Sequence, residues 1–378
     1  MVSTLALPQI AGSNLLTNSR MSTFKTCPRK HLYKYEQGVR RDTDAKPLRM
    51  GSAVHLGLDL KCKGEEETTA LLRATESYDQ FPLWANDEEK QHEWLTEREI
   101  VRRLLAGYWW RWGGDADIVA EVIASEISFD LPIRNPETGG TSTVFRVGGK
   151  IDKIVRLNDG RVAVMEHKTC GEDLSPESDY WKRLRIDQQI SLYMCAAREL
   201  GHDVQTVLYD VIRKPSIAPK QIPVLDERGL KVVVDSNGER VLKENIKKNG
   251  EPGVGHGEPM QSGNAEKGWT LLSRVETPEE FGERLTDDIA ARPDFYFARQ
   301  EIPRLDSDLE EFRHELWQQQ QSIRAAQQHG RHFRNTSACL VMGRCEYLDQ
   351  CHNGIDISNI PSGFVRVNDL HPELGGEE

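Results

Sequence analysis

Two β-strand patterns joined by a short polar turn place the strongest limit on how this chain can fold. Residues 142–157 and 161–168 both read as strands, rich in β-branched and alternating residues. Asn158, Asp159 and Gly160 between them suit a three-residue hairpin loop in which the glycine takes a left-handed conformation. The sequence therefore predicts an antiparallel pair in which residues equally distant from Asp159 face each other.

This register brings two carboxylates together. Asp152 and Glu166 each lie seven residues from Asp159, so they should be opposite one another on one face of the hairpin, which Lys150 and Lys168 share. Because like charges directly opposite destabilise a strand pair, the arrangement calls for a cation. Mg²⁺ or Mn²⁺ suits such ligands and can activate a water beside a phosphate. From charge alone, ordinary solvated ion pairs explain the pattern equally well.

The flanking patterns predict the fold class. A helix with Ser22 as N-cap, a second beginning after Gly51, and a third over 88–112 make the first part mostly helical. After the hairpin, a helix over 179–200 precedes a strand over 204–212, which favours a mixed α/β fold. We predict a mixed central β-sheet flanked by helices, a helical N-terminal part and a cysteine-stapled C-terminal tail.

The same patterns suggest five segments. They are a helical N-terminal region (1–115), a core containing the hairpin (116–214), a polar glycine-rich insertion (215–270), a helix–strand–helix completion of the core (271–334) and a cysteine-rich tail (335–378).

Composition and net charge limit which partners, location and cysteine chemistry we expect. A net charge of −11 argues against coating of nucleic acid by bulk charge, although a local basic groove remains compatible with it. The apolar runs are too short for a membrane span, and the first 20 residues lack a signal-peptide pattern, so we expect a cytoplasmic protein without membrane partners. Seven cysteines favour thiols or metal ligation over a disulfide framework.

The hairpin residues resemble the PD-(D/E)xK nuclease superfamily, in particular its RecB-like branch. Asp152 and the run Glu166-His167-Lys168 fill the places of its motif, and Gly149-Lys-Ile-Asp152 is similar to the Gly-x-x-Asp form of that branch. The resemblance implies a restriction-endonuclease-like core and a divalent metal site. Asp152 and Glu166 would be ligands, with the carbonyl of His167 as an addition, and Lys168 would orient water or stabilise the phosphate.

Two further segments extend the resemblance. Gln189 and Tyr193 are similar to the branch's Gln-x-x-x-Tyr helix, which implies positions near the active site. Arg185 and Lys182, one and two turns earlier on roughly that face, could meet a DNA backbone. His55 in Gly51-Ser-Ala-Val-His55 is similar to an additional metal ligand. A half-buried core tyrosine and a structural histidine are the alternatives.

The cysteines resemble a one-plus-three arrangement that binds a 4Fe-4S cluster in this branch, here Cys27 with Cys339, Cys345 and Cys351. Both C-terminal gaps are five residues, whereas two and then five is frequent in the branch. A zinc site, with His332 or His352 involved, is the main rival.

The combined resemblance implies a metal-dependent deoxyribonuclease of the phage or prophage type. We expect an exonuclease on linear or single-stranded DNA in recombination, repair or phage DNA metabolism, in the host cytoplasm if phage-encoded. No Walker-type phosphate loop is present, so unwinding would need a helicase, and a recombinase or single-strand-binding protein is a further possible partner. The alternatives are a catalytically idle nucleic-acid-binding subunit stapled by a cluster or zinc, and, ranked last, a redox sensor.

Overall fold

The structure, a computed structural model, describes residues 10–42, 45–114, 117–341, 343–355, 357, 359–371 and 374. The predicted segment boundary at 115–116 lies outside these residues. The α-helices are α1 (Asn18–Thr26), α2 (Pro28–His31), α3 (Lys46–Cys62), α4 (Glu67–Ala74), α5 (Glu88–Trp112), α6 (Asp179–Leu184), α7 (Gln188–Glu199), α8 (Pro278–Ala291), α9 (Pro293–Tyr296), α10 (Asp306–His329) and α11 (Leu348–Asn353).

The strands follow the same order. They are β1 (Leu15–Leu16), β2 (Val39–Arg41), β3 (Val119–Arg134), β4 (Thr141–Leu157), β5 (Val162–Cys170), β6 (Thr206–Arg213), β7 (Gln221–Pro223), β8 (Val233–Val234), β9 (Thr270–Leu271), β10 (Ser273–Val275), β11 (Phe297–Pro303) and β12 (Phe364–Arg366). Short helical turns occupy Leu32–Glu36, Glu76–Asp79, Ala265–Lys267 and Thr336–Cys339.

The chain forms two compact units. The first contains residues 1–74, 108–213 and 294–378, and the second contains residues 75–107 and 214–293. The five predicted segments divide the chain differently and stay a prediction.

The main sheet of the first unit confirms the mixed α/β prediction. Among the described residues it has the order β1-β4-β5-β6-β11, and β3 also pairs with β4. The β5 and β6 strands are parallel, whereas β4 runs antiparallel to β5 and β11 antiparallel to β6. Nearly every residue of β6 is buried, as expected for a strand covered on both faces.

The hairpin has the predicted register. Lys153 pairs with Met165 and Arg156 with Val162, each pair equally distant from Asp159. Gly160 has a φ of 88°, so it takes the left-handed conformation that the loop requires.

Three helix predictions were wrong in their bounds. The helix over 179–200 is two helices, because residues 185–187 break it and Asp187 caps α7 by accepting a hydrogen bond from Gln189 N. α3 begins at Lys46, where Pro47 occupies its first turn, so Gly51 lies inside the helix. Thr17, not Ser22, caps α1.

The C-terminal tail packs on the N-terminal segment within the first unit. The β12 strand pairs antiparallel with β2, and Tyr347 donates a hydrogen bond from its hydroxyl to Val39 O at 2.5 Å. Tyr33, Val39 and Phe364 share a small apolar core with Tyr347. Strand pairing and apolar packing therefore hold the tail against the N-terminal segment.

The second unit contains α8 and the short strands β7 to β10. Thr277 and Glu280 form a reciprocal capping box at the start of α8, because Thr277 Oγ1 accepts from Glu280 N while Glu280 accepts from Thr277 N. Within the described residues, no helix combines the length and apolar character of a membrane span.

Candidate active site

The hairpin brings its two acidic residues to the buried side of the sheet, Asp152 on β4 and Glu166 on β5. Asp152 is 9% exposed and Glu166 is 4% exposed. Asp152 Oδ2 accepts a hydrogen bond of 2.8 Å from the backbone N of His167. The ladder between β4 and β5 ends at Lys153 and Met165, one residue before the predicted pair, and Asp152 instead reaches β5 through the backbone of His167.

Lys168 and Gln189 complete the cluster. Lys168 Nζ donates to Glu166 Oε1 and to Gln189 Oε1, both at 2.7 Å. Gln189 Nε2 donates to Glu166 Oε1 at 2.9 Å and contacts the Tyr193 hydroxyl at 3.0 Å. The cap at Asp187 fixes the start of α7 and so fixes where Gln189 projects.

His55 approaches from α3. Its Nδ1 lies 3.4 Å from Asp152 Oδ1, and a Cβ on Gly51, one turn earlier, would lie 3.6 Å from Thr169 Oγ1 at the end of β5. α3 therefore places His55 beside Asp152, the carboxylate that the hairpin pattern pointed to.

The electrostatics of the cluster follow from burial and mutual proximity. Burial and the neighbouring Asp152 raise the pKa of Glu166 to about 7, although Lys168 opposes the rise. Burial alone would raise the pKa of Asp152, but His55 and His167 outweigh it and lower that pKa. For Lys168, Glu166 outweighs burial and raises the pKa. Each charged group therefore depends on its neighbours.

The cluster fits a divalent cation. Glu166 Oε2 is buried and has no hydrogen-bond partner among the described residues. Such an orphaned acceptor is costly unless a cation or water meets it. Oxygen ligands of this kind suit Mg²⁺ or Mn²⁺. Asp152, Glu166 and His55 would hold the ion after small movements, because their ligand atoms do not all lie within 4.8 Å of one another.

Behind the site lies a network that sequence reasoning missed. His167 Nδ1 lies 2.8 Å from Asp210 Oδ2 on β6, and Asp210 is fully buried. Arg299 Nε donates to Asp210 Oδ1 at 3.0 Å, and Tyr108 donates to Asp210 Oδ2. Arg299 also pairs with Asp117. One sequence feature could have revealed this network. Asp210 is a single aspartate within the apolar run of β6, and a buried charge requires a partner.

Lys182 and Arg185 are not brought into the cluster. Both are exposed; Lys182 lies in α6, where its Nζ donates to Asp179 Oδ1 at 3.2 Å, and Arg185 lies in the break before α7. The expectation of one continuous helical face with Gln189 and Tyr193 was therefore wrong. Lys150 pairs with Glu126 of β3 rather than with the hairpin carboxylates.

Three of the four predicted cluster cysteines contact residues 334–335. Asn335 N donates to Cys27 Sγ at 3.4 Å, and Cys339 Sγ lies 3.9 Å from Asn335 O. Arg334 Nε donates to Cys351 Sγ at 3.1 Å, and Cys345 N donates to Cys339 O at 2.9 Å. All seven cysteines lie in the described part of the chain, and none forms a disulfide.

A separate group near these cysteines has metal-ligand chemistry but a different explanation. Within the described ranges, only His31, Glu36 and His332 bring three potential ligand atoms within 4.8 Å of one another. Arg20 Nε donates to His31 Nε2, so neutral His31 carries its proton on Nδ1, 3.3 Å from Glu36 Oε1. His332 Nε2 lies 2.8 Å from the same oxygen. We interpret the group as a buried polar network in which His332 Nε2 is paired with Glu36.

Gly149 shows why a small residue precedes the site. A Cβ there would lie 2.8 Å from Phe129 Cζ and 3.2 Å from Tyr193 Cε1. We expect Gly149→Ala to lower the free energy of unfolding by about 1–3 kcal/mol, because Phe129 must move in a packed interior. Urea denaturation measures the effect, with Gly171→Ala as control because nothing lies within 4 Å of its added Cβ. Equal midpoints for the two variants would contradict the close packing.

One of three comparisons with known proteins identifies a family for the chain. A family model for the PD-(D/E)XK nuclease superfamily matches residues 16–352. A search of curated proteins found no match. Among solved structures, the chain is similar to the crystal structure of SSO0001, with 14% identity, a TM-score of 0.25, and coverage of 56% of this chain and 68% of that one.

Proposed function

Because the chain belongs to the PD-(D/E)XK nuclease superfamily, we propose that it is a metal-dependent deoxyribonuclease of the RecB-like branch that degrades linear or single-stranded DNA from an end. The buried cluster of Asp152, Glu166, Lys168 and Gln189 carries the proposal. Recombination, repair or phage DNA metabolism is the setting that we propose for this activity.

The roles of the residues follow from their contacts. Asp152, Glu166 and His55 would hold Mg²⁺ or Mn²⁺, with the His167 carbonyl as a further ligand. The ion supplies Lewis-acid activation of a water and neutralises phosphate charge. The water oxygen forms a bond to phosphorus, one ester P–O bond breaks, the water gives up a proton to solvent, and the leaving oxygen gains one.

Lys168 has a defined task in this reaction. Its hydrogen bonds to Glu166 and Gln189 hold the ammonium beside the carboxylates, so it can donate to the attacking water or to a phosphate oxygen. A preorganised donor of this kind is worth about 10²–10³ in rate. Gln189 and Tyr193 support its position.

A time course on end-labelled linear and covalently closed circular DNA with Mg²⁺ or Mn²⁺ tests the proposal. We expect loss of linear DNA only, abolished by Lys168→Ala and preserved in Lys150→Ala, a matched lysine that pairs with Glu126 of the same sheet. Cleavage of circles would contradict end-dependence. Binding of DNA without cleavage of any substrate would favour the idle binding subunit instead.

We further propose that Cys27, Cys339, Cys345 and Cys351 bind a 4Fe-4S cluster. Cys27, Cys339 and Cys351 contact residues 334–335, and Cys345 bonds to the backbone of Cys339, which supports a four-thiolate site that ties α1 to the tail. The wild-type protein, purified without air, should contain iron and inorganic sulfide, and Cys27→Ser should lose most of both. Cys62→Ser is the control. Zinc without iron in the wild-type protein would contradict the cluster assignment.

A further inference from the structure

A cleft of about 340 Å³ within the first unit lies beside the start of α7. One wall is the end of α1, where Phe24 and Lys25 lie, and the other is a polar face of α10. Phe333, beyond the end of α10, also lines it. The volume is at the lower end of the ~300–1,000 Å³ range of small-ligand sites. It therefore suits one nucleotide better than a larger group.

The cleft is joined to the proposed active site through neighbouring glutamines. Lys25 Nζ donates to Gln188 Oε1 at 2.7 Å, and Gln319 Nε2 donates to the same oxygen at 3.2 Å. Gln188 directly precedes Gln189, which contacts Glu166 and Lys168. Gln188 and Gln189 are the first two residues of α7 and project in different directions, so the cleft and the hairpin site meet at the same helix end from different sides.

Phe333 offers a stacking surface. Its side chain is 70% exposed, which is unusual for a large aromatic residue and informative where it lines a cleft. Bases of single strands stack on exposed aromatic rings whatever their sequence. Phe24, which packs partly against the main core, closes the inner side of the cleft.

Charge and hydrogen bonding complete the match to a nucleotide. Lys25 forms no ion pair with the residues that the structure describes, so its ammonium is available to a phosphate. Gln319 Oε1 is buried and lacks a partner among them. The α10 face presents further polar groups at helical spacing, namely Glu315, Gln318 and Ser322. A carboxylate repels a bare phosphate but accepts hydrogen bonds from a base amino group.

We propose that this cleft binds one nucleotide of a single DNA strand, its base stacked on Phe333 and its phosphate near Lys25, while an adjacent phosphate lies at the hairpin site. The inference rests on the proposed nuclease function, and it names a subsite that positions the strand for cleavage.

An abasic scan of a labelled oligodeoxynucleotide tests the subsite. Binding is measured by fluorescence anisotropy in the Lys168→Ala chain, which leaves the strand uncut, for a series in which each oligonucleotide lacks one base. We expect a single position whose base loss weakens binding about fivefold or more, as expected for one stack. Adding Phe333→Ala should weaken the intact oligonucleotide similarly and remove the effect of that abasic position.

Two control variants sharpen the result. Phe333→Tyr should keep the stack, and Phe81→Ala removes another aromatic residue, 48% exposed and outside the cleft, without effect. Unchanged binding in Phe333→Ala, or an abasic effect that persists there, would overturn the subsite. If wild-type protein still cleaves linear DNA in that case, the subsite alone fails. If it neither cleaves nor binds DNA, the nuclease proposal fails with it.

Discussion

Glutamine in place of Glu166 should lower the rate of DNA cleavage by about 100-fold or more. The substitution keeps the shape of the side chain but removes the charge that faces Lys168 and the orphaned acceptor Oε2. Loss of a residue behind a metal ligand already costs about 10–100-fold, so loss of a direct ligand should cost at least as much. Single-turnover cleavage of linear DNA measures the effect.

Glu126→Gln is the matched control for this prediction. Glu126 also pairs with a lysine, Lys150, on a neighbouring strand of the same sheet, but it is outside the buried cluster. Its substitution should change the rate by no more than a few fold. Similar rates of DNA cleavage for Glu166→Gln and wild type would show that the hairpin carboxylates do not take part in the reaction.

Methionine in place of Arg299 should lower the free energy of unfolding by about 3–5 kcal/mol. Arg299 is 5% exposed and is the cation of the network behind the site, where Asp210 is fully buried. Removal of one partner leaves a buried charge without compensation, which is far more costly than loss of a surface pair. Urea denaturation followed by circular dichroism measures the change.

Arg161→Met provides the comparison. Arg161 also binds two carboxylates, those of Asp159 and Glu301, but its side chain is 43% exposed. Exposed pairs contribute about 0–1 kcal/mol, so this variant should unfold near the wild-type midpoint. Equal decreases in the free energy of unfolding of the two variants would show that the buried Asp210 network contributes no more to stability than an exposed ion pair.

The hairpin is predictable from the sequence because its signals are local. The turn residues Asn158 to Gly160 set the register, and the side-chain period of two then places Asp152 beside Glu166. The resemblance supplies Gln189, Tyr193 and His55. The geometry brings His55 to Asp152 and Gln189 to Glu166, and Tyr193 contacts Gln189. The ligand and catalytic roles of these residues stay proposals.

The remaining features depend on contacts between distant parts of the chain. The partnership of Asp210 with Arg299 and Tyr108 joins β6, β11 and the end of α5, and no local pattern identifies such partners. The break between α6 and α7 is different, because Asp187 is a good N-cap residue within an otherwise helical run. If the capping preference of Asp187 had been given more weight than the apolar periodicity, the sequence would have predicted two helices, with Lys182 and Arg185 outside the helix that carries Gln189.

Binding of Mn²⁺, followed by electron paramagnetic resonance, tests most directly whether the hairpin is a metal site. Wild-type protein and Glu126→Gln should bind the ion with equal affinity, while Asp152→Asn should bind it at least about tenfold more weakly because one charged ligand is lost. Equal binding by all three proteins would contradict the assignment of Asp152 and Glu166 as the metal ligands on which the proposed nuclease depends.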